Sequence, residues 1–202
     1  MSASIIPIMS SISINPDRKL RIAEIGARYG ESSIFMLSNF TEIEKYYIID
    51  PYESYEDYAH DGFDKEIKKN SGDKLYEDIK SKLSNYPSVE FLREYSSTGH
   101  EKIADEELDL CYIDGNHSYE YVLEDIKNFF PKIKSGGLIC GDDFFMRHKF
   151  NNGDYDQKMV FEAVMEFFSS DKYCSRVISF GSHGPNPSGH TFPSSWGVIK
   201  RD

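Results

Sequence analysis

The chain has 202 residues, 39% of them hydrophobic and 28% charged, which is enough for one well-buried domain and short for two. A formal net charge of −11 opposes a phosphate backbone, so nucleic acid is not expected as a main partner, and no run is long enough to cross a bilayer. Three cysteines (Cys111, Cys140, Cys174) are odd in number and lack metal-type spacing, which points to a reducing compartment.

Residues 1–18 are mildly apolar but lack the basic start and small-residue cleavage site of a secretory signal. They read as an N-terminal extension of a single domain over residues 1–202, with the cytoplasm as the expected location. Short apolar runs then alternate with amphipathic ones. Leu20–Ile25, Tyr46–Ile49, Val89–Leu92, Leu108–Ile113 and Leu138–Cys140 read as strands. Leu75, Ile79 and Leu83 recur at helical spacing, as do Val122, Ile126 and Phe129, and then Val160, Ala163, Val164 and Phe167. Near-continuous apolar strands separated by helices imply an α/β fold, with a mostly parallel sheet covered on both faces. Arg176–Phe180 and Trp196–Lys200 are two further strands. The stretch between them holds Pro185, Pro187 and Pro193 and reads as a loop, so the last strand is expected to be reversed. Residues 52–70 carry many Tyr, Asp and Glu without a clean period and form either a lid or an irregular polar connection.

The first strand runs into Glu24-Ile25-Gly26-Ala27-Arg28-Tyr29-Gly30-Glu31-Ser32. One glycine lets the backbone turn at the strand exit, a second lets the next helix pack close, and that helix N-terminus offers free N–H groups to an anion. Asp50, at the end of the second strand, can accept both hydroxyls of a ribose. Arg28 and Glu31 occupy the places where a dinucleotide fingerprint has its later glycines. The pattern alone therefore leaves a nucleoside site and a plain strand-to-helix turn both open.

Two later strand exits carry acids: Asp114 in Ile113-Asp114-Gly115-Asn116-His117-Ser118-Tyr119, and Asp142 with Asp143 in Gly141-Asp142-Asp143-Phe144. If these strands are neighbours, three carboxylates converge beside the nucleoside end, an arrangement that is costly unless a cation neutralises it. Oxygen ligands favour a hard divalent ion, Mg²⁺ first, with Mn²⁺ or Ca²⁺ as alternatives. Each acid taken singly also serves as a loop or helix cap. His117 is either a helix-start residue or a base over a bound hydroxyl. His60, His100, His148, His183 and His190 read as surface or loop residues.

Together, Glu24-x-Gly26-x-x-x-Gly30-x-Ser32, Asp50, Asp114-Gly115-x-His117-x-Tyr119 and Gly137-x-x-x-Gly141-Asp142-Asp143-Phe144 resemble class I S-adenosylmethionine (SAM) dependent methyltransferases. Within that group they are similar to the metal-dependent sugar O-methyltransferases of the macrocin O-methyltransferase type. The resemblance implies a Rossmann-like seven-stranded sheet with one antiparallel strand. It makes Gly26, Gly30 and Ser32 the cradle for the methionine moiety, with Glu24 and Tyr29 also at the cofactor, and Asp50 the ribose ligand. Ser96 falls where the adenine is flanked, although the Gly-Asp that precedes it in many relatives is missing. Asp114, Asp142 and Asp143 become metal ligands, and Asp114 or His117 the base. The expected activity is methyl transfer to a hydroxyl of a sugar or small molecule, with room for a homo-oligomer. The rivals are a nicotinamide-dependent oxidoreductase and a non-catalytic SAM-binding protein.

Overall fold

The computed structural model describes residues 19–40, 42–54, 67, 71–144, 159–169, 177–180 and 195–201. The extension at 1–18, most of 52–70, Cys174, the proline-rich stretch, and His60, His148, His183 and His190 lie outside them. The apolar runs form β1 (Leu20–Ile25), β2 (Ile43–Ile49), β3 (Val89–Leu92), β4 (Leu108–Ile113), β5 (Ile133–Gly141), β6 (Ile178–Phe180) and β7 (Ser195–Ile199). The amphipathic stretches form α1 (Glu31–Asn39), α2 (Gly72–Lys82), α4 (Tyr119–Phe129) and α5 (Val160–Phe168). A single turn, α3 (Ser96–Gly99), runs into a 3₁₀ turn at His100–Lys102.

All seven strands join one sheet in the order β3-β2-β1-β4-β5-β7-β6. β1 to β5 are mutually parallel, and β7 inserts antiparallel between β5 and β6. The expected Rossmann-like sheet with one reversed strand is therefore the observed one. Its faces carry separate cores, because successive residues of a strand point to opposite sides. Ile25, Ile49, Ile113, Ile139 and Trp196 pack under α4 and α5. Ile22, Tyr46, Ile48, Leu110 and Leu138 pack under α1 and α2.

Helix ends follow local chemistry. The Ser71 hydroxyl accepts the Asp73 N–H at the start of α2, with Lys80 and Lys82 in its last turn, where the dipole favours cations. Cys111 and Cys140 are buried free thiols, as expected of strand residues in a core. No helix among the described residues is long and apolar enough to cross a membrane.

Two strands begin earlier than the apolar pattern indicates. β2 starts at Ile43, where Lys45 pairs with Glu90 on β3 and Glu44 with Arg21 on β1, so charged rungs extend the ladder. β5 starts at Ile133 and runs through Lys134-Ser135-Gly136-Gly137, with a register shift opposite Leu108–Leu110. That glycine-containing segment is held as strand by its neighbours. Gly136 donates to Lys200 O, Lys200 donates back to Gly137 O, and Lys134 Nζ reaches the buried Asp109 carboxylate at 2.9 Å.

Candidate active site

In a parallel sheet the strand exits share one edge, and backbone hydrogen bonds tie these exits together. Asp50 N–H donates to Leu92 O, Gly26 N–H to Ile49 O, Asp114 N–H to Ile25 O, and Asp142 N–H to Ile113 O. Asp50, Gly26, Asp114 and Asp142 therefore stand side by side where open α/β sheets bind ligands.

At the nucleoside end, Gly26 and Gly30 both have positive φ, +82° and +73°, and Gly30 caps α1 without any side-chain hydrogen bond. The chain turns sharply over the β4 exit, so close that a Cβ at Gly26 would collide with the Asp114 carbonyl oxygen. Tyr29 lies in this turn with the Arg28 guanidinium 5.0 Å from its ring centre, and Ser32 is in the first turn of α1.

The Asp50 carboxylate organises the loop: Oδ2 accepts Arg28 N–H at 2.9 Å and Oδ1 accepts Tyr52 N–H at 2.7 Å. Burial raises its pKa, opposed by those amides and that of Ala27. The three amides leave the carboxylate one further acceptor site, so Asp50 shapes the turn and can take at most one more donor, such as a ribose hydroxyl.

Glu24 is fully buried, and its Oε2 accepts both the Ser33 hydroxyl and, at 2.8 Å, the Tyr46 hydroxyl. Its Oε1 has no partner among the described residues. Burial pushes its pKa up to about 7. The two hydroxyls pull against this, while the charges of Asp114 and Asp50 add to it. Asp125 on α4 is also buried and raised to about 7, chiefly by burial. A carboxyl whose folded pKa lies above its unfolded one holds its proton longer in the folded state, so stability falls as pH rises between the two values. Urea unfolding should therefore show a more stable protein at pH 5.5 than at pH 7.5. Glu24→Gln should remove part of that difference, and an unchanged difference would disprove the raised Glu24 carboxyl.

At the chemical end, one ligand atom from each of Asp114, His117 and Asp143 lies within 4.8 Å of the others. His117 sits between the two acids, its Nε2 3.4 Å from Asp114 Oδ1 and its Nδ1 3.2 Å from Asp143 Oδ2. Burial lowers the imidazole pKa, but the Asp114 hydrogen bond and the charges of Asp143, Asp114 and Asp142 outweigh it and raise the net value. Of the expected trio Asp114, Asp142 and Asp143, the first and last share this cluster, and Asp142 stands beside it. Asp142 accepts the Ser195 hydroxyl at 2.7 Å, whereas Asp143, at a left-handed φ of 54°, contacts His117. Burial raises the Asp142 pKa, with Ser195 opposing it and the charges of Asp114 and Asp143 adding to it.

Ser96 opens α3 just past the β3 exit, and the same turn packs Gly99 against Ile49 of β2. His100 is half-buried instead of superficial, its ring 6.1 Å from that of Phe129. Ser33, Tyr46 and Ser195 are site-supporting residues that no sequence motif marks. Their only signal is a polar residue at an otherwise apolar inward position.

The chain matches the family described as "Methyltransferase domain" over residues 23–144, more than half its length and spanning every strand exit above. No curated protein matches it. Among solved structures, the O-methyltransferase NovP superposes with a TM-score of 0.62 at 16% identity, over 98% of this chain and 79% of NovP. A candidate caffeoyl-CoA O-methyltransferase from Staphylococcus aureus gives 0.58 at 16% identity, over 97% and 82% of the two chains. The 1,6-didemethyltoxoflavin-N1-methyltransferase of Burkholderia thailandensis, solved with its substrate and S-adenosylhomocysteine, gives 0.56 at 11%, over 97% and 77%. At such identities the likeness is one of fold. With the family match spanning the glycine turn and both acidic exits, the chain belongs to the methyltransferase-domain family and is a methyltransferase of the SAM-dependent, Rossmann-like kind.

Proposed function

We propose that this chain transfers a methyl group from SAM to a hydroxyl oxygen of a sugar or small molecule, assisted by a divalent cation. The observation that carries the reading is the seating of the glycine turn directly on the β4 exit, whose Asp114 belongs to the acidic cluster with His117 and Asp143. Cofactor end and acidic end are thereby adjacent. NovP and the Staphylococcus aureus protein carry O-methyltransferase names, while the Burkholderia protein carries an N1-methyltransferase name. The fold thus hosts both chemistries, and the carboxylate cluster favours the hydroxyl.

The residues fit both groups. The uncapped α1 N-terminus, Glu24 Oε1, without a partner among the described residues, and the remaining Asp50 acceptor site suit the zwitterionic and ribose parts of SAM, which supplies an already activated methyl group. The two carboxylates suit Mg²⁺ or Mn²⁺, which would lower the pKa of an acceptor hydroxyl. Asp114 and Asp143 would hold the cation, with Asp142 as a flanking charge fixed by Ser195. His117 takes the hydroxyl proton and is stabilised as imidazolium by the carboxylates on either side. Much of the rate is then positioning, since the donor needs no further activation.

S-adenosylhomocysteine should raise the melting temperature through linkage, by an amount worth about 2.7 kcal/mol at a hundredfold excess over Kd. Asp50→Ala removes a buried charged acceptor and should weaken that binding by about tenfold or more in calorimetry. Unaltered affinity would overturn the role of Asp50 in the cofactor pocket. Release of S-adenosylhomocysteine from SAM with a panel of hydroxylated acceptors separates an enzyme from a non-catalytic binder.

A further inference from the structure

The loop from Asp114 to Ser118 is pinned at both ends. At its start the Asp114 N–H donates to Ile25 O at 2.9 Å, and the Gly26 turn presses on the Asp114 carbonyl and on Gly115. At its end Ser118 O accepts the Val122 N–H at 3.1 Å and begins α4, whose Val122, Ile126 and Phe129 are buried in the core. Asn116 closes the span between these anchors. It is 6% exposed, and its Oδ1 accepts the Ser118 N–H at 3.0 Å, an Asx turn with His117 as its middle residue. The imidazole carried by that turn stands 3.4 Å from Asp114 Oδ1 and 3.2 Å from Asp143 Oδ2. Both distances are near the outer limit of hydrogen bonding, so a small displacement of the backbone loses them. The Asn116 Nδ2 is buried and has no partner among the described residues. A buried donor left unpaired is unfavourable, and a carboxylate at this position would have none. An aspartate would close the same turn, but as a further negative charge in the loop that holds Asp114. The amide supplies the acceptor without the charge.

We propose that Asn116 is a positioning residue for His117, its neutral amide closing the turn that holds the imidazole between Asp114 and Asp143. The inference rests on the reading of His117 as the base and deepens it. A base must meet the acceptor hydroxyl at hydrogen-bond distance, and the direction of the ring follows from the backbone at position 117. Asn116 fixes that backbone through Ser118. Loss of the side-chain acceptor frees the Ser118 N–H and lets residue 117 rotate while both anchors stay in place.

The test is nuclear magnetic resonance of the imidazole N–H protons in the full, metal-free chain, with the His117 signals identified by their loss in His117→Ala. A ring N–H held by a carboxylate exchanges slowly with water, so the unaltered chain should give a protected His117 signal. Asn116→Ala should speed that exchange by about tenfold or more. Asn116→Asp should restore it to within about threefold, since a carboxylate closes the same turn. Asn116→Ser, with a shorter and weaker acceptor, should fall between them and gives the same comparison if the alanine variant does not fold. A merely structural role would lower the melting temperature and leave the ring signal as it was. That result, or the absence of a protected His117 signal in the unaltered chain, would overturn the proposal. Turnover of SAM with hydroxylated acceptors should fall by about 10- to 100-fold in Asn116→Ala with KM for SAM unchanged, the pattern of a displaced base. In a His117→Ala background the same change should cost nothing more, and a further multiplicative loss would also overturn the proposal. Full turnover in His117→Ala would overturn the base reading and with it the catalytic use of the turn. Faster ring exchange in Asn116→Ala would then still show that the turn holds the imidazole.

Discussion

Gly26→Ala should cost stability near the upper end of single substitutions, about 3–5 kcal/mol, and should abolish S-adenosylhomocysteine binding. Two causes act together. The residue sits at φ +82°, where a side chain strains the backbone. The added carbon would also meet the Asp114 carbonyl oxygen, with Gly115 Cα at 2.5 Å and the Asp114 carbonyl carbon at 2.7 Å. All three are backbone atoms, so no rotamer change relieves the clash and the glycine turn must lift off the β4 exit. Lifting it breaks the Arg28 N–H bond to Asp50 and moves Asp114 relative to its cluster. Gly136→Ala is the control. Its φ is +79°, but nothing lies within 4 Å of the new carbon, so it should lose only the conformational penalty of about 1 kcal/mol and keep both binding functions. Urea unfolding and calorimetry on both variants check this, and a Gly26→Ala protein with normal affinity would show that the two halves of the site are not in register through this contact.

The legible part of the structure is the part that local chemistry determines. β1, β3 and β4 begin and end where the apolar runs do, because each is dominated by apolar side chains and the runs stop at Gly26, Arg93 and Asp114. β5 reads too short for the opposite reason. Lys134 to Gly137 have turn chemistry, and only cross-strand partners far along the chain, Asp109 and Lys200, make them a strand. Gly26, Asp50, Asp114 and the Asp142-Asp143 pair are assigned to the strand exits from position alone, and they stand there. Which of two adjacent acids faces the cluster is decided by the left-handed turn at Asp143 and by Ser195, 53 residues further on. No spacing rule reaches that far. Ser33 and Asp125 are hidden by helical phase: one follows Ser32 in α1, and the other passes for a polar position in an amphipathic pattern until packing turns it inward.

Removal of divalent cations should reduce turnover to background, with Mg²⁺ or Mn²⁺ restoring it, because two carboxylates this close to one another favour ionisation only when a positive charge lies between them. His117 bridges Asp114 and Asp143, whose charges raise its pKa, so a cation between those acids should favour neutral imidazole and release protons into weakly buffered solution. This release is a readout independent of activity. Asp143→Asn should weaken Mn²⁺ binding strongly, whereas Asp142→Asn should weaken it less, since the Asp142 carboxylate is already engaged by Ser195. S-adenosylhomocysteine affinity should survive in both, because the Gly26 turn and Asp50 lie on the far side of β4 from β5. His117→Ala should keep Mn²⁺ binding and lose turnover by about 10² to 10⁴, the range of a positioned base. Loss of Mn²⁺ affinity in that variant would make His117 a ligand and pass the proton to Asp114. Full turnover of the unaltered protein in EDTA would leave the three acids as scaffolding for the strand exits and overturn the cation's part in the reaction.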